Sequence, residues 1–173
     1  MEIKNTQVET AIEIMQEAAK WLIQIGKPLW HLDDLTVDRI LKQISREEIY
    51  VGWENDRSIA AMILQWHDLS FWKDVKPLES GFIHKLSVRR AFAGKGHAKE
   101  MIKFAESECL KRNVHLLRLD CAGDKPKLCG FYESLGFKQV HRKMVGKFDV
   151  AFYEKKIQEY SVLMRKILIV KFC

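Results

Sequence analysis

GFIHKLSVRRAFAGKGHAKEMIKFAE, residues 81 to 106, passes from an apolar strand pattern through a glycine turn into a helix pattern. Phe82 to Val88 is the strand-like run, and Ala93-Gly94-Lys95-Gly96-His97-Ala98 is a turn of small residues. Met101, Ile102, Phe104 and Ala105 then recur on one side of a helix. A helix that starts at such a turn aims backbone N–H groups without internal partners at one spot, and its dipole favours negative charge there. Glycine lets an anion come close to the backbone. The segment therefore predicts a phosphate cradle. Two common cradles are excluded by spacing: no Ser or Thr follows Gly96 as a Walker-type loop needs, and the third glycine of a dinucleotide fingerprint is missing from Gly94-Lys95-Gly96-His97-Ala98-Lys99.

Downstream, HLLRLDC (115–121) alternates as a strand, and LCGFYESLGF (128–137) follows it. In this order and spacing, the segments resemble the Gcn5-related N-acetyltransferase (GNAT) superfamily over roughly residues 48 to 157, with a weaker echo in the first helix. In that superfamily a V-x(4)-Q/R-x-x-G-x-G/A pattern at the end of the fourth strand binds the pyrophosphate of acetyl-CoA, and an FYExxGF segment brings a tyrosine beside the thioester sulfur. The matching residues here are Val88, then Gly94, Lys95, Gly96, His97 and Ala98, and then Phe131-Tyr132-Glu133-Ser134-Leu135-Gly136-Phe137. Ala93 departs from the pattern, which has Arg or Gln there; Arg89, Arg90, Lys95 and Lys99 are the nearby cations that could neutralise a pyrophosphate.

The resemblance implies an α/β fold: a mixed, mostly antiparallel sheet flanked by helices, with the fourth and fifth strands splayed. It implies N-acetyl transfer from acetyl-CoA, directly, to a primary amine of a small molecule or peptide. The alternative on the same fold is a catalytically weak module that binds or senses acyl-CoA. Backbone groups around Leu86 and Val88 would bond the pantetheine amides. Arg89, Gly94 to Lys99 and Phe131 would complete the cofactor site. Tyr132 would protonate the departing thiolate, its alternative role being packing beside Phe131. For the general base, His84 lies mid-strand and has a near-neutral reference pKa. Asp68, Asp74, Glu79 and an ordered water are the alternatives. Trp30 and Trp72 would wall the acceptor pocket, with Asp68 or Asp74 holding the amine's cation.

Composition agrees. A chain of 173 residues with 47% apolar content is long enough for one domain with a core. We divide it into an acetyltransferase domain over 1–158 and an extension over 159–173 of the same domain, an extra strand or helix. No apolar run reaches the roughly 18 residues of a membrane helix. The N-terminus has early acidic residues and no apolar core of a signal peptide, so a cytoplasmic protein without a membrane partner is expected. The four cysteines form no C-x-x-C pair and no metal spacing with histidine; reduced thiols and no metal are expected. The net charge of +6 suits an anionic cofactor. The lysines are scattered and no stacking aromatics accompany them, which argues against nucleic acid.

Along the chain, apolar spacing of three and four predicts a helix over 7–25, with Thr6 and Glu9 as a capping box. A second helix is expected over 35–44, near Asp33 or Asp34. Strands at 47–55 and 58–67 join at Asn55-Asp56-Arg57 as a hairpin. A loop follows over 67–80, then a strand to 88, a helix over 95–112 and a strand over 115–121. A short helix reaches 136, and a hairpin pairs 137–145 with 149–157. The apolar tail and a free sheet edge are compatible with a homodimer.

Overall fold

The structure is a computed structural model that describes residues 1–5 and 7–158. The expected roles of Thr6 as a cap and of 159–173 as an extra strand or helix lie outside the described residues. The elements are β1 (Glu2–Asn5), α1 (Val8–Gln24), α2 (Val37–Leu41), β2 (Ile49–Glu54), β3 (Arg57–Gln65), β4 (Gly81–Val88), α3 (His97–Lys111), β5 (Leu116–Ala122), α4 (Pro126–Ser134), β6 (Lys138–Val145) and β7 (Phe148–Lys156). One seven-stranded sheet runs in the order β1-β2-β3-β4-β5-β7-β6. Every neighbouring pair is antiparallel except β4 and β5.

The apolar run of β3 explains the layering. Alternate residues of a strand face opposite sides. Ala60, Met62 and Leu64 join the core under α3 and α4, while Ala61 and Ile63 join the core under α1 and α2. α1 turns Val8, Ala11, Ile12, Met15 and Ala19 onto that second core, as its spacing predicts. Asn55 and Asp56 both have positive φ, +48° and +59°, the mark of a type I′ hairpin turn between β2 and β3. Gly81 opens β4 because an added Cβ would lie 2.5 Å from Cys109 Sγ on α3. Leu64 is fully buried between these layers, so Leu64→Ala is expected to destabilise the chain by about 2–5 kcal/mol. A urea midpoint unchanged from the parent's would show that this layer does not hold the fold.

Some boundaries differ from expectation. β1 is a four-residue strand, EIKN, whose polar composition carries no strand signal. The second helix is only Val37–Leu41, capped by Thr36, whose side chain accepts from Arg39 N–H at 3.3 Å; Asp33 and Asp34 belong to a preceding 3-10 turn. The cap position of α1 is Gln7, and its side chain makes no capping bond.

β4 and β5 pair only at Gly81–Leu117, Phe82–Arg118 and Ile83–Leu119, and then part. Beyond that point β4 stays on β3 and β5 stays on β7, through Ser87–Ala61 and Asp120–Phe152 respectively. The register of β4 on β3 slips beside His84, and Lys85 takes a positive φ of +49°. This bulge bends β4 away from β5. The edge of β4 from His84 to Val88 therefore faces an opening rather than a strand.

Candidate functional site

At the wide end of that opening lies the glycine turn. Gly94 and Gly96 have φ of +77° and +89°, conformations that favour glycine. A Cβ added at either would meet nothing within 4 Å, so the turn faces open space. Among the described residues, no acceptor takes the backbone N–H groups of Gly94 through Lys99. These donors, at the start of the 15-residue α3, make an anion site.

The cations near the turn divide into two sets. Arg89 is committed elsewhere: its Nη1 donates to Glu17 Oε2 at 2.7 Å and its Nε to the Ser58 carbonyl at 2.9 Å, tying the end of β4 to α1 and β3. The Arg90 guanidinium lies 3.7 Å from the Trp21 ring centre. Lys95 and Lys99 are exposed and make no ion pair with a described residue. His97 is 6% exposed and packs edge-on against Phe92, so it presents its backbone N–H, rather than its ring, to the turn. Leu86 and Val88 pack on the α3/α4 core from the free stretch of β4.

On the same face, α4 carries Phe131 and Tyr132. Tyr132 is 8% exposed, wedged among Phe131, Phe137 and Tyr153. Its hydroxyl makes no hydrogen bond with a described residue, yet is not a sealed polar atom. Burial first, and then the neighbouring Cys121, Asp120 and Cys129, push its pKa above the usual phenol value. Tyr132 therefore holds its proton at neutral pH.

The opposite face of the opening carries a polar group of buried Asp68 with half-buried His84 and Asp120. Asp68, in the loop after β3, is fixed by N–H bonds from Ser70 (2.8 Å) and Phe71 (2.9 Å) to its Oδ1. Its Oδ2 lies 3.7 Å from His84 Nε2, and Asp120 Oδ1 on β5 lies 3.9 Å from His84 Nδ1. Burial lowers the His84 pKa below its ordinary value, against the pull of Asp68. The imidazole is thus neutral at pH 7. Burial, and then repulsion from Asp68, raise Asp120 to about 7, with Lys85 opposing. The Lys85 ammonium lies 5.3 Å from the Trp30 ring centre, and burial lowers its pKa. Trp72 shares the Asp68 turn, donating its N–H to the Asp68 carbonyl at 3.2 Å, and packs edge-on against Phe152. The structure thus brings His84, Asp68 and Trp72 together. Trp30 meets the Lys85 ammonium. Asp74 and Glu79 are exposed, and Glu79 reaches Arg118.

Asp120 and Lys85 escaped the sequence reading. The signal for Asp120 was a carboxylate interrupting the apolar strand HLLRLDC, where burial is expected to need a partner. Lys85 gave none, because a bulge is a tertiary event.

Comparison with known proteins agrees with this geometry. A model of the acetyltransferase (GNAT) family matches residues 13–137. The uncharacterized N-acetyltransferase YesJ of Bacillus subtilis (strain 168) is 28% identical over 138 residues, spanning 75% of this chain and 76% of that protein. A GNAT-family acetyltransferase from Listeria monocytogenes superposes with a TM-score of 0.72 at 25% identity, covering 90% of this chain and 94% of that one. The fold is shared also with yncA from Salmonella typhimurium, solved with its cofactor acetyl-CoA, at a TM-score of 0.66 and 16% identity over 93% and 96% of the two chains. No helix among the described residues is long and apolar enough to cross a membrane.

Proposed function

This chain belongs to the acetyltransferase (GNAT) family, and we propose that it transfers the acetyl group directly to a primary amine of a small molecule or peptide. It is an acyl-CoA-dependent acetyltransferase, and acetyl-CoA is its cofactor. The observation that carries the proposal is the parting of β4 from β5 beside an open glycine turn, with buried Asp68 and half-buried His84 and Asp120 grouped in the gap. We assign 1–158 as the acetyltransferase domain. The free thiols of Cys109, Cys121 and Cys129 support a reducing, cytoplasmic compartment.

The residues present fit the cofactor: unpaired N–H groups, an unobstructed turn, exposed lysines and a free strand edge. The backbone of Gly94 to Lys99, with the Lys95 and Lys99 side chains, would hold the pyrophosphate. The free edge at Leu86 and Val88 would hold the pantetheine amides, with Phe131 lining the opposite wall. Acetyl-CoA, when bound, supplies the activated acyl thioester.

The chain's own groups supply the rest. Asp68 and Asp120 attract the acceptor's ammonium to a buried position, and Trp30 and Trp72 border it. A primary ammonium has three N–H donors, and the two carboxylates and the imidazole offer three acceptors. His84 Nε2, neutral at working pH, takes the proton that frees the amine. Tyr132 Oη holds a proton for the departing sulfur.

The test is a thiol-release assay with acetyl-CoA against a panel of primary amines and peptides. Release is expected with primary amines and not with alcohols. No release with any acceptor, together with no CoA binding by calorimetry, would overturn the proposal. Tyr132→Phe is expected to lower kcat by about 10- to 100-fold while leaving CoA affinity unchanged. An unaltered kcat would reduce Tyr132 to packing.

A further inference from the structure

We propose that Asp68, His84 and Asp120 form a binding site for one divalent ion of the Zn2+ class, in the place that the acceptor's ammonium would occupy. One ligand atom from each of the three residues lies within 4.8 Å of the others. The group is drawn from a loop and two strands, so no local ligand spacing could reveal it in the sequence.

Burial distinguishes this group from an ordinary acidic surface. The Asp68 side chain is 4% exposed, and its Oδ2, aimed at the imidazole, accepts no hydrogen bond. His84 Nε2 and Asp120 Oδ1 are likewise buried without partners. Buried polar atoms are normally satisfied, and one unpartnered atom from each of three neighbouring side chains marks the place of a missing partner. The missing partner is a cation. Among the described residues, no Lys or Arg pairs with Asp68 or Asp120, and the nearby Lys85 ammonium lies over Trp30 instead. Burial, and then repulsion from Asp68, raise the pKa of Asp120 at the same place.

The donor set selects the ion. One imidazole nitrogen with two carboxylate oxygens suits Zn2+ and its first-row neighbours. Mg2+ and Ca2+ prefer six or more oxygens. Three protein ligands leave a fourth position open on a tetrahedral ion. Ligand atoms around such an ion, with bonds of about 2.0–2.2 Å, stand roughly 3.3 Å apart. The 3.7 Å gap from Asp68 Oδ2 to His84 Nε2 is close to that spacing. Asp120 Oδ1 lies 3.9 Å from the other ring nitrogen, Nδ1, so a rotation of the imidazole or of the Asp120 side chain, within a group spanning 4.8 Å, completes the site on one ring nitrogen. Binding would also displace the proton that Asp120 holds near neutral pH. Competition between ion and amine follows from the shared place, and that consequence rests on the acceptor site proposed above.

The experiment uses the full, tag-free chain after chelator treatment and dialysis. Co2+ is titrated at pH 7.5 and followed by visible absorbance, and Zn2+ is titrated by calorimetry. One equivalent is expected to bind. His84→Ala and Asp68→Asn are each expected to weaken binding by more than about 10-fold. Asp68→Asn keeps the side chain's shape, and a thermal melt checks that each variant is folded. No saturable binding, or binding that both folded variants leave unchanged, would overturn the site; unchanged binding would point to Cys121 and Cys129 instead. Zn2+ is expected to raise the apparent KM for the amine and not that for acetyl-CoA. Metal binding without this competition overturns the shared place. Metal binding in a chain that acetylates no amine overturns the acceptor reading and leaves the metal site standing.

Discussion

An Asp120→Asn variant is expected to lose about 100-fold or more in kcat/KM toward the amine and yet, above pH 7, to resist unfolding better than the parent chain. The two effects have one cause. Asp120 is half-buried on β5 beside Asp68, with no Lys or Arg among the described residues within pairing distance, and burial followed by Asp68 repulsion raises its pKa from 3.8 to about 7. Asn keeps the shape and removes the charge. The acceptor's ammonium then loses one of its two carboxylates, and the base loses the charge that holds its substrate. For stability, the folded chain binds the Asp120 proton more tightly than the unfolded chain does. Between pH 3.8 and about 7 the folded state therefore carries more protons, and stability falls as pH rises. The penalty is absent below pH 3.8, complete above about 7, and at most about 4 kcal/mol. Asp68, His84 and Lys85 face the same space, but all three are present in both proteins, so the difference isolates Asp120. Urea unfolding of both proteins from pH 4 to pH 8.5 measures it. A stability gap that does not widen with pH would show that Asp120 is not a strained buried acid. In the parent, kcat/KM should rise through pH 7 as this acid ionises, and the variant should lack that step.

Gly96→Val is the second large effect, and it acts on the cofactor side. Gly96 caps α3 at φ +89°, ψ −1°, a conformation that a β-branched residue adopts only under strain. The strain is about 1–3 kcal/mol, and the turn can relieve it only by rotating the peptides on either side. Those peptides carry the N–H groups that converge on the anion site. A rotation of this kind misaligns several donors at once, so KM for acetyl-CoA is expected to rise by 10-fold or more, with the amine's KM little changed. No neighbour lies within 4 Å of the new Cβ, so a simple clash is not the explanation. Steady-state kinetics with each substrate varied, beside a urea curve, separates the two. An unaltered KM for acetyl-CoA would mean that the turn does not hold the cofactor.

Most elements of the fold were legible because their signals are local. The apolar stripe of α1, the Asn55-Asp56 hairpin and the strand–glycine–helix run at 81–111 each depend on residues close in sequence. The failures were also physical. EIKN in β1 has no strand composition and forms only because β2 presents an edge to it. The second helix stops at Leu41, where sequence pattern alone ran on to 44. Arg89 looked available for phosphate in the sequence; an ion pair with Glu17, far away in the chain, holds it on α1.

The sequence by itself determined the family, the glycine turn and the tyrosine of α4, because backbone conformation and helix phase are set by neighbours along the chain. Only the tertiary structure decided that His84, Asp68 and Asp120 meet. That meeting requires the bulge at Lys85, the parting of β4 from β5 and a loop folded back onto the gap. Each of these is set by packing between distant segments, and the burial that perturbs the acid and the imidazole exists only once those segments close together.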